Sequence, residues 1–312
     1  TSGNPSSIHR VGQQAATERE EARTQIAGLL GATPGEVYFT SGGTEADNWA
    51  IRSAAILGRK KGKKQIISSA FEHHAVLHTL KALEKEGFEV TLLPVHRNGV
   101  VRVDELRNAI REDTALVTVM YANNEIGTVQ PIAEIGAICK EKGVLFHTDA
   151  VQAIGHLAVD VKAQNIDMLS LSAHKFHGPK GVGALYCKKG VPLTTFIEGG
   201  AQERGKRGGT ENIPAIAAMA AALQESSTNR DANAKKVSVM RDELVAARSQ
   251  IPRSHHNGNV DSRLPGIVNF CFEGIEGEAL LLLLDAQGIF ASSGSACTSG
   301  SLDPSHVLLA LG

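Results

Sequence analysis

The sequence predicts an α/β protein: a large, mainly parallel β-sheet flanked by helices, followed by a smaller second domain. Three observations carry this. From residue 36 onward, short β-rich runs alternate with amphipathic stretches, the pattern of strands joined by crossover helices. Several of those runs are apolar almost throughout, as strands buried on both faces are. The 312 residues also exceed what one core usually holds, since single cores stop growing near about 250–300 residues.

Taken in order, the strand candidates are "EVYFTS", "KQIISS", "EVTLLPV", "TALVTVMYA", "GVLFHTDA", "IDMLSLS" and "VGALYCKK", with helical patterns such as "TEADNWAIRSAAILGRKKG" and "AVLHTLKALEKEG" between them. Residues 214–250 then read as helix, polar break and helix. "GIVNFCF", "EGEALLLLLDAQG" and "IFASSG" follow as strand, helix and strand. The expected division is a large domain over residues 1–228 and a small α+β domain over 229–312.

Composition excludes several classes of function. A net charge of −1 provides no bulk field toward nucleic acid or anionic lipid. The longest apolar run, "ALLLLLDA", is too short to span a bilayer. No charged-then-apolar leader opens the chain, and the four cysteines are scattered without a C-x-x-C pair; a reducing cytoplasm fits best.

The chemistry sits in loops that leave strands, where ligands of such sheets bind. In "FTSGGTEADN", Gly42 and Gly43 let a ligand approach the backbone. Thr44, with Asp47 three residues on, opens a helix, and its free N–H groups could cradle a phosphate; a plain capped turn explains the motif as well. Asp149 leaves an apolar strand in "FHTDAVQ", placed to hold a cationic nitrogen, a metal or the next helix's N-terminus. Lys175, in "SAHKFHGPK", can balance charge, bind phosphate or condense with a carbonyl cofactor. Together, an anion loop, a carboxylate and a lysine supply what pyridoxal phosphate needs. His73 or His74 of "FEHHA" offers an imidazole to lie over a ring, or a helix cap. His174 and His177 flank the lysine with no carboxylate or cysteine at ligand spacing, so no metal is expected. His255 and His256 read as solvated loop. Cys139, Cys187 and Cys271 lie in apolar runs and read as packing residues. Cys297, surrounded by serine and glycine in "SSGSACTSGSLDPSH", reads as a travelling nucleophile.

The set "SGGTEADN", "EHHAV", "NNEIGTVQP", "HTDAVQAIG", "SAHKFHGPKGVGALY", "GGAQERGKRGGTEN" and "SSGSACTSGSLDPSHVLLALG" closely resembles the cysteine desulfurases of the NifS/IscS type. These are pyridoxal-phosphate enzymes of the aspartate-aminotransferase fold (type I). The resemblance implies that Lys175 carries the cofactor, that Asp149 pairs with its ring nitrogen and that Gln152 contacts its ring hydroxyl. It further implies that His73 stacks on the ring and that Gly43, Thr44, Ser172 and His174 hold the phosphate. Thr210 would reach the phosphate site of a second copy, implying a homodimer, and Asn124 would sit near the substrate carboxylate. Cys297 would take sulfur from L-cysteine as a persulfide, leave L-alanine, and pass the sulfur to an iron–sulfur scaffold or a tRNA-thiolation protein. Family members extend beyond both ends of these motifs, so the chain is expected to lack an N-terminal segment and a tail that supplies a substrate-binding arginine. The rival readings are another enzyme of this fold, such as an aminotransferase or selenocysteine lyase, and a non-catalytic shortened form.

Overall fold

A computed structural model describes residues 3–294 and 304–312. After helix α1 (Arg10–Leu29), the chain alternates strand and helix: β1 (Val37–Thr40), α2 (Gly43–Lys60), β2 (Gln65–Ser69), α3 (His74–Lys85), β3 (Glu89–Leu93), α4 (Val103–Ala109), β4 (Thr114–Thr118), α5 (Ile132–Lys142) and β5 (Leu145–Asp149). β6 (Met168–Ser172), β7 (Gly183–Cys187) and the short, distorted α6 (Gln202–Gly205) follow. α7 (Ile213–Arg248) leads to the hairpin β8 (Ser254–His256) and β9 (Phe270–Phe272), then α8 (Gly277–Ala286) and α9 (His306–Leu311).

The seven apolar runs form one sheet in the order β1-β7-β6-β5-β4-β2-β3. β7 runs antiparallel to both its neighbours, and every other pair is parallel. The carboxyl ends of β1 to β6 therefore share one edge. Strands β2, β4, β6 and β7 are buried along their whole length, because helices cover both faces. One face packs Ile26, Phe146, Tyr121, Phe176 and Met219 into a common core. The other packs Trp49, Ile51, Leu80 and Phe88, and Trp49 Nε1 donates to the Thr194 carbonyl at 2.8 Å. Among the described residues no helix is long and apolar enough to cross a membrane.

Four expectations differ in detail. The polar break within 214–250 is absent: α7 is one helix of 36 residues, and residues 228 and 229 lie inside it. Residues 227–233 contain neither glycine nor proline, so a solvated stretch continues the helix. "IFASSG" forms no strand; Ile289 and Phe290 are exposed and find no neighbouring strand to pair with. His255 and His256 belong to β8, where His255 Nε2 bonds Glu273 Oε1 at 2.7 Å. Cys139 and Cys187 are buried, their thiols pushed up to about 12 by burial, but Cys271 is only half-buried and its sulfur accepts from Asn257 Nδ2.

Candidate active site

The shared strand edge gathers the candidate residues. β1 ends at the Ser41–Gly43 turn, β2 runs on to Glu72 and His73, β4 to Asn123–Glu125, β5 ends at Asp149, and β6 at Ser172 before the turn Ala173–Phe176 that contains Lys175. A Cβ on Gly43 would sit 2.6 Å from Val151 Cγ2, and one on Gly42 would sit 3.6 Å from Ser172 Oγ. The glycine turn thus lies directly against the β5 and β6 exits. Gly42, the residue before α2, has φ +152°, which favours glycine. The expected Thr44–Asp47 cap is not formed. Instead Glu45 accepts the Ser41 N–H at 2.9 Å, which leaves other N–H groups of the first turn for an anion. Ser172 Oγ lies 2.9 Å from His174 Nδ1.

Asp149 is buried, with Oδ1 accepting the Val151 N–H at 3.0 Å; no other protein donor reaches this carboxyl among the described residues. Burial raises its pKa to about 6, opposed by the Val151 N–H and by the charge of Lys175. The Lys175 side chain is exposed to the site, while its carbonyl is held by His156 Nε2 at 2.9 Å. Burial and then Lys175 lower His73, whose Nδ1 accepts the Ala75 N–H at 3.1 Å and opens α3. The imidazole is therefore neutral and oriented, with its proton on Nε2. Gln152 and Asn124 are half-buried on the same edge. The turn bearing Asn124 is built by its neighbour: Asn123 Oδ1 accepts the N–H groups of Glu125 and Ile126. Cys297 lies outside the described residues.

Beneath this edge lie acids whose burial the sequence analysis did not foresee. Asp47 is 1% exposed on the sheet-facing side of α2, and its Oδ1 has no hydrogen-bond partner. Burial, then the charge of Asp149, raises it well above the usual carboxylate range. His147, in β5 itself, brings Nε2 to 3.6 Å from Asp47 Oδ1, with Nδ1 2.8 Å from Thr118 Oγ1 and Nε2 3.0 Å from Ser170 Oγ. Burial holds it neutral, with a pKa of about 3. Glu72, fully buried, accepts the Met120 N–H at 2.9 Å and is pushed by burial to about 8. The available signal was positional, since Asp47 falls in step with buried Gly43, Ala46 and Ala50.

Glu72 yields a pH prediction. Its folded pKa lies above the unfolded value, so the folded state binds the extra proton and stability falls as pH rises from about 4.5 to about 8. Glu72→Gln removes that titration while keeping an acceptor for the Met120 N–H. Its stability relative to the parent should rise by a few kcal/mol between pH 5 and pH 8. Thermal melts at the two pH values check this; parallel profiles would refute it.

The "GGAQERGKRGGTEN" segment is fastened by buried ion pairs. Glu203 bonds Arg23 through both oxygens at 2.8 and 2.9 Å and accepts the Phe39 N–H. These contacts hold Glu203 and Arg204 at left-handed φ of 45° and 59°, a conformation that costs on the order of 1–3 kcal/mol per residue. Arg207 bonds Glu45 at 2.8 and 3.0 Å, tying the segment to the start of α2. Thr210 follows, exposed.

These residues fit pyridoxal phosphate. A buried carboxylate has capacity for a cationic nitrogen, a glycine turn lacks the Cβ atoms that would fill the cradle, and a lysine is exposed between the two. Comparison with known proteins gives the family. The aminotransferase class-V family model matches residues 1–312. A cysteine desulfurase IscS of Methanosarcina thermophila is 56% identical over 310 residues, covering 99% of this chain and 76% of that protein. A solved NifS-like protein superposes with a TM-score of 0.93 at 40% identity, covering 99% of this chain and 82% of that one. A structure titled SspA in complex with cysteine gives 0.86 at 38%, covering 99% and 86%. The chain belongs to the class-V aminotransferase family, in its cysteine desulfurase branch of the NifS/IscS type.

Proposed function

We propose that the protein is a pyridoxal-phosphate-dependent cysteine desulfurase that converts L-cysteine to L-alanine and carries the removed sulfur as a persulfide on Cys297. The observation that carries the cofactor assignment is the convergence of Gly43, Ser172, Asp149 and Lys175 on one sheet edge, with Lys175 close enough to Asp149 to shift its titration. When bound, the cofactor supplies an electron sink for the substrate's α-carbon. Gly43, Thr44, Ser172 and His174 hold its phosphate. Asp149 would pair with the ring nitrogen and Gln152 with the ring hydroxyl. His73, oriented by the Ala75 N–H, would lie against the ring face. Asn124 would bind the substrate carboxylate, and Lys175 Nζ would serve as the general base for the substrate α-proton.

Overall, the substrate's Cβ–S bond breaks, its sulfur joins Cys297 Sγ, and a hydrogen replaces sulfur on the carbon, so carbon is reduced as sulfur is oxidised. Thr210 completes the phosphate site of a second copy, which supports a homodimer. The persulfide passes to a sulfur acceptor, an iron–sulfur scaffold or a tRNA-thiolation protein. The test is equimolar release of alanine and sulfide from L-cysteine by the cofactor-loaded protein; cofactor binding without either product overturns the reading.

Asp149→Asn separates the carboxylate's role from capping. Asparagine keeps an oxygen for the Val151 N–H but no charge for the ring nitrogen. Turnover should fall by at least about 10²-fold, the usual scale of one preorganised electrostatic partner, while cofactor content stays within about twofold. Wild-type turnover would make Asp149 a cap alone.

A further inference from the structure

We infer that Arg207 is a positioning residue of the anion cradle: paired with Glu45, it cancels a carboxylate built into the first turn of α2 and so lets that turn accept a phosphate. Glu45 follows Gly43 and Thr44 directly, as the third residue of α2. Its carboxylate reaches back into the turn, where Oε2 accepts the Ser41 N–H at 2.9 Å. Arg207 engages both oxygens, Nε donating to Oε1 at 2.8 Å and Nη2 to Oε2 at 3.0 Å. The Glu45 side chain is only 9% exposed, so water and salt screen its charge poorly. Burial opposes its ionisation, yet the bonds from Arg207 and Ser41 hold the carboxyl below its ordinary value. A carboxylate ion therefore stands among the N–H groups that would hold the phosphate.

The positive end of a helix attracts anions, but it attracts Glu45 and a ligand alike. Left bare, Glu45 would satisfy that end itself and repel a second negative charge. The bidentate guanidinium removes the conflict, because the Glu45–Arg207 unit is neutral overall. This role is separable from fastening, since the backbone around Arg207 is held without its side chain. The Phe196 N–H donates to the Lys206 carbonyl at 2.8 Å, and the Gly208 N–H donates to the Ile197 carbonyl at 2.9 Å. Upstream, Glu203 is fixed by Arg23. Removing the Arg207 side chain thus uncovers the carboxylate without freeing the segment. This inference rests on the cofactor reading for the identity of the anion.

The test measures binding to the full chain freed of cofactor, with pyridoxal phosphate, pyridoxal without its phosphate, and inorganic phosphate as probes. Arg207→Gln should weaken pyridoxal phosphate about tenfold, the order expected of one uncompensated charge in a partly shielded site, and leave pyridoxal within about twofold. Arg207→Lys, which keeps the charge without the planar fork, should stay within about threefold of the parent. Glu45→Gln keeps an oxygen for the Ser41 N–H, and combining it with Arg207→Gln should restore pyridoxal phosphate to within about threefold. If the pair is only a tether, the double variant stays as weak as Arg207→Gln and Arg207→Lys fails too; either result overturns the inference. An equal loss of affinity for pyridoxal overturns it as well. Inorganic phosphate, read by the rise in melting temperature it causes, should follow the same order across the series. A parent that binds inorganic phosphate but not pyridoxal phosphate would sink the cofactor reading while the phosphate series still decides the charge compensation. A parent that binds neither sinks both.

Discussion

Lys175→Ala is expected to fold as the parent does, to hold pyridoxal phosphate only by non-covalent contacts, and to release no measurable alanine. The side chain is exposed to the site, and the Lys175 group that supports the fold is its carbonyl, bonded by His156; alanine retains that. Two functions vanish together: covalent attachment, and the general base that takes the substrate α-proton. Proton transfer alone contributes roughly 10²–10⁴-fold. The expected loss exceeds that range, because the cofactor is also no longer held in register. Borohydride reduction of the parent protein followed by peptide mapping should label Lys175. Label on Lys180 or another lysine would refute the assignment. The variant also reports on electrostatics: without the lysine's charge, Asp149 and His73 each lose an influence that lowers them, so both should titrate at higher pH in the cofactor-free variant.

The strands that deliver these residues were legible because both faces of the sheet are covered. Runs such as "KQIISS" and "VGALYCKK" carry little alternation, and burial on two faces is the physical reason. The exits from those strands were legible for the same reason, since a glycine pair, an aspartate and a lysine at the end of an apolar run stand out. Two kinds of feature were not. The first is polarity that is buried: Glu72 and Glu125 lie in turns outside any helical or strand periodicity, and only the packed structure shows that they are enclosed. The partners Met120 of Glu72 and Ser305 of Glu125 come from distant positions that no local pattern connects. The second is local structure decided by tertiary context. α7 continues through a polar stretch that resembles a break, while "IFASSG" has strand-like residues and no strand beside it.

Cys297→Ser carries the second large expected effect, and it discriminates between a packing cysteine and a sulfur carrier. Cys139 and Cys187 show what packing looks like here: both are buried and their thiols are pushed up to about 12, so neither is a thiolate near neutral pH. Replacing either would cost stability and leave chemistry alone. Cys297 stands among serines and glycines, where a hydroxyl should be tolerated. The serine variant should therefore melt within about a degree of the parent, a change of about 0.5 kcal/mol or less. It should load cofactor and bind L-cysteine normally, because Gly43, Asp149, Asn124 and Lys175 are untouched. A serine hydroxyl, protonated at neutral pH and a poor partner for divalent sulfur, cannot take over the substrate's sulfur. Alanine and sulfide release should then fall together by several orders of magnitude, as when an essential nucleophile is removed. Mass spectrometry of the parent after a single turnover should find about 32 Da added to the Cys297 peptide, one sulfur atom on the thiol. Full alanine production by Cys297→Ser would mean that another group accepts the sulfur, and the persulfide assignment would fall with it.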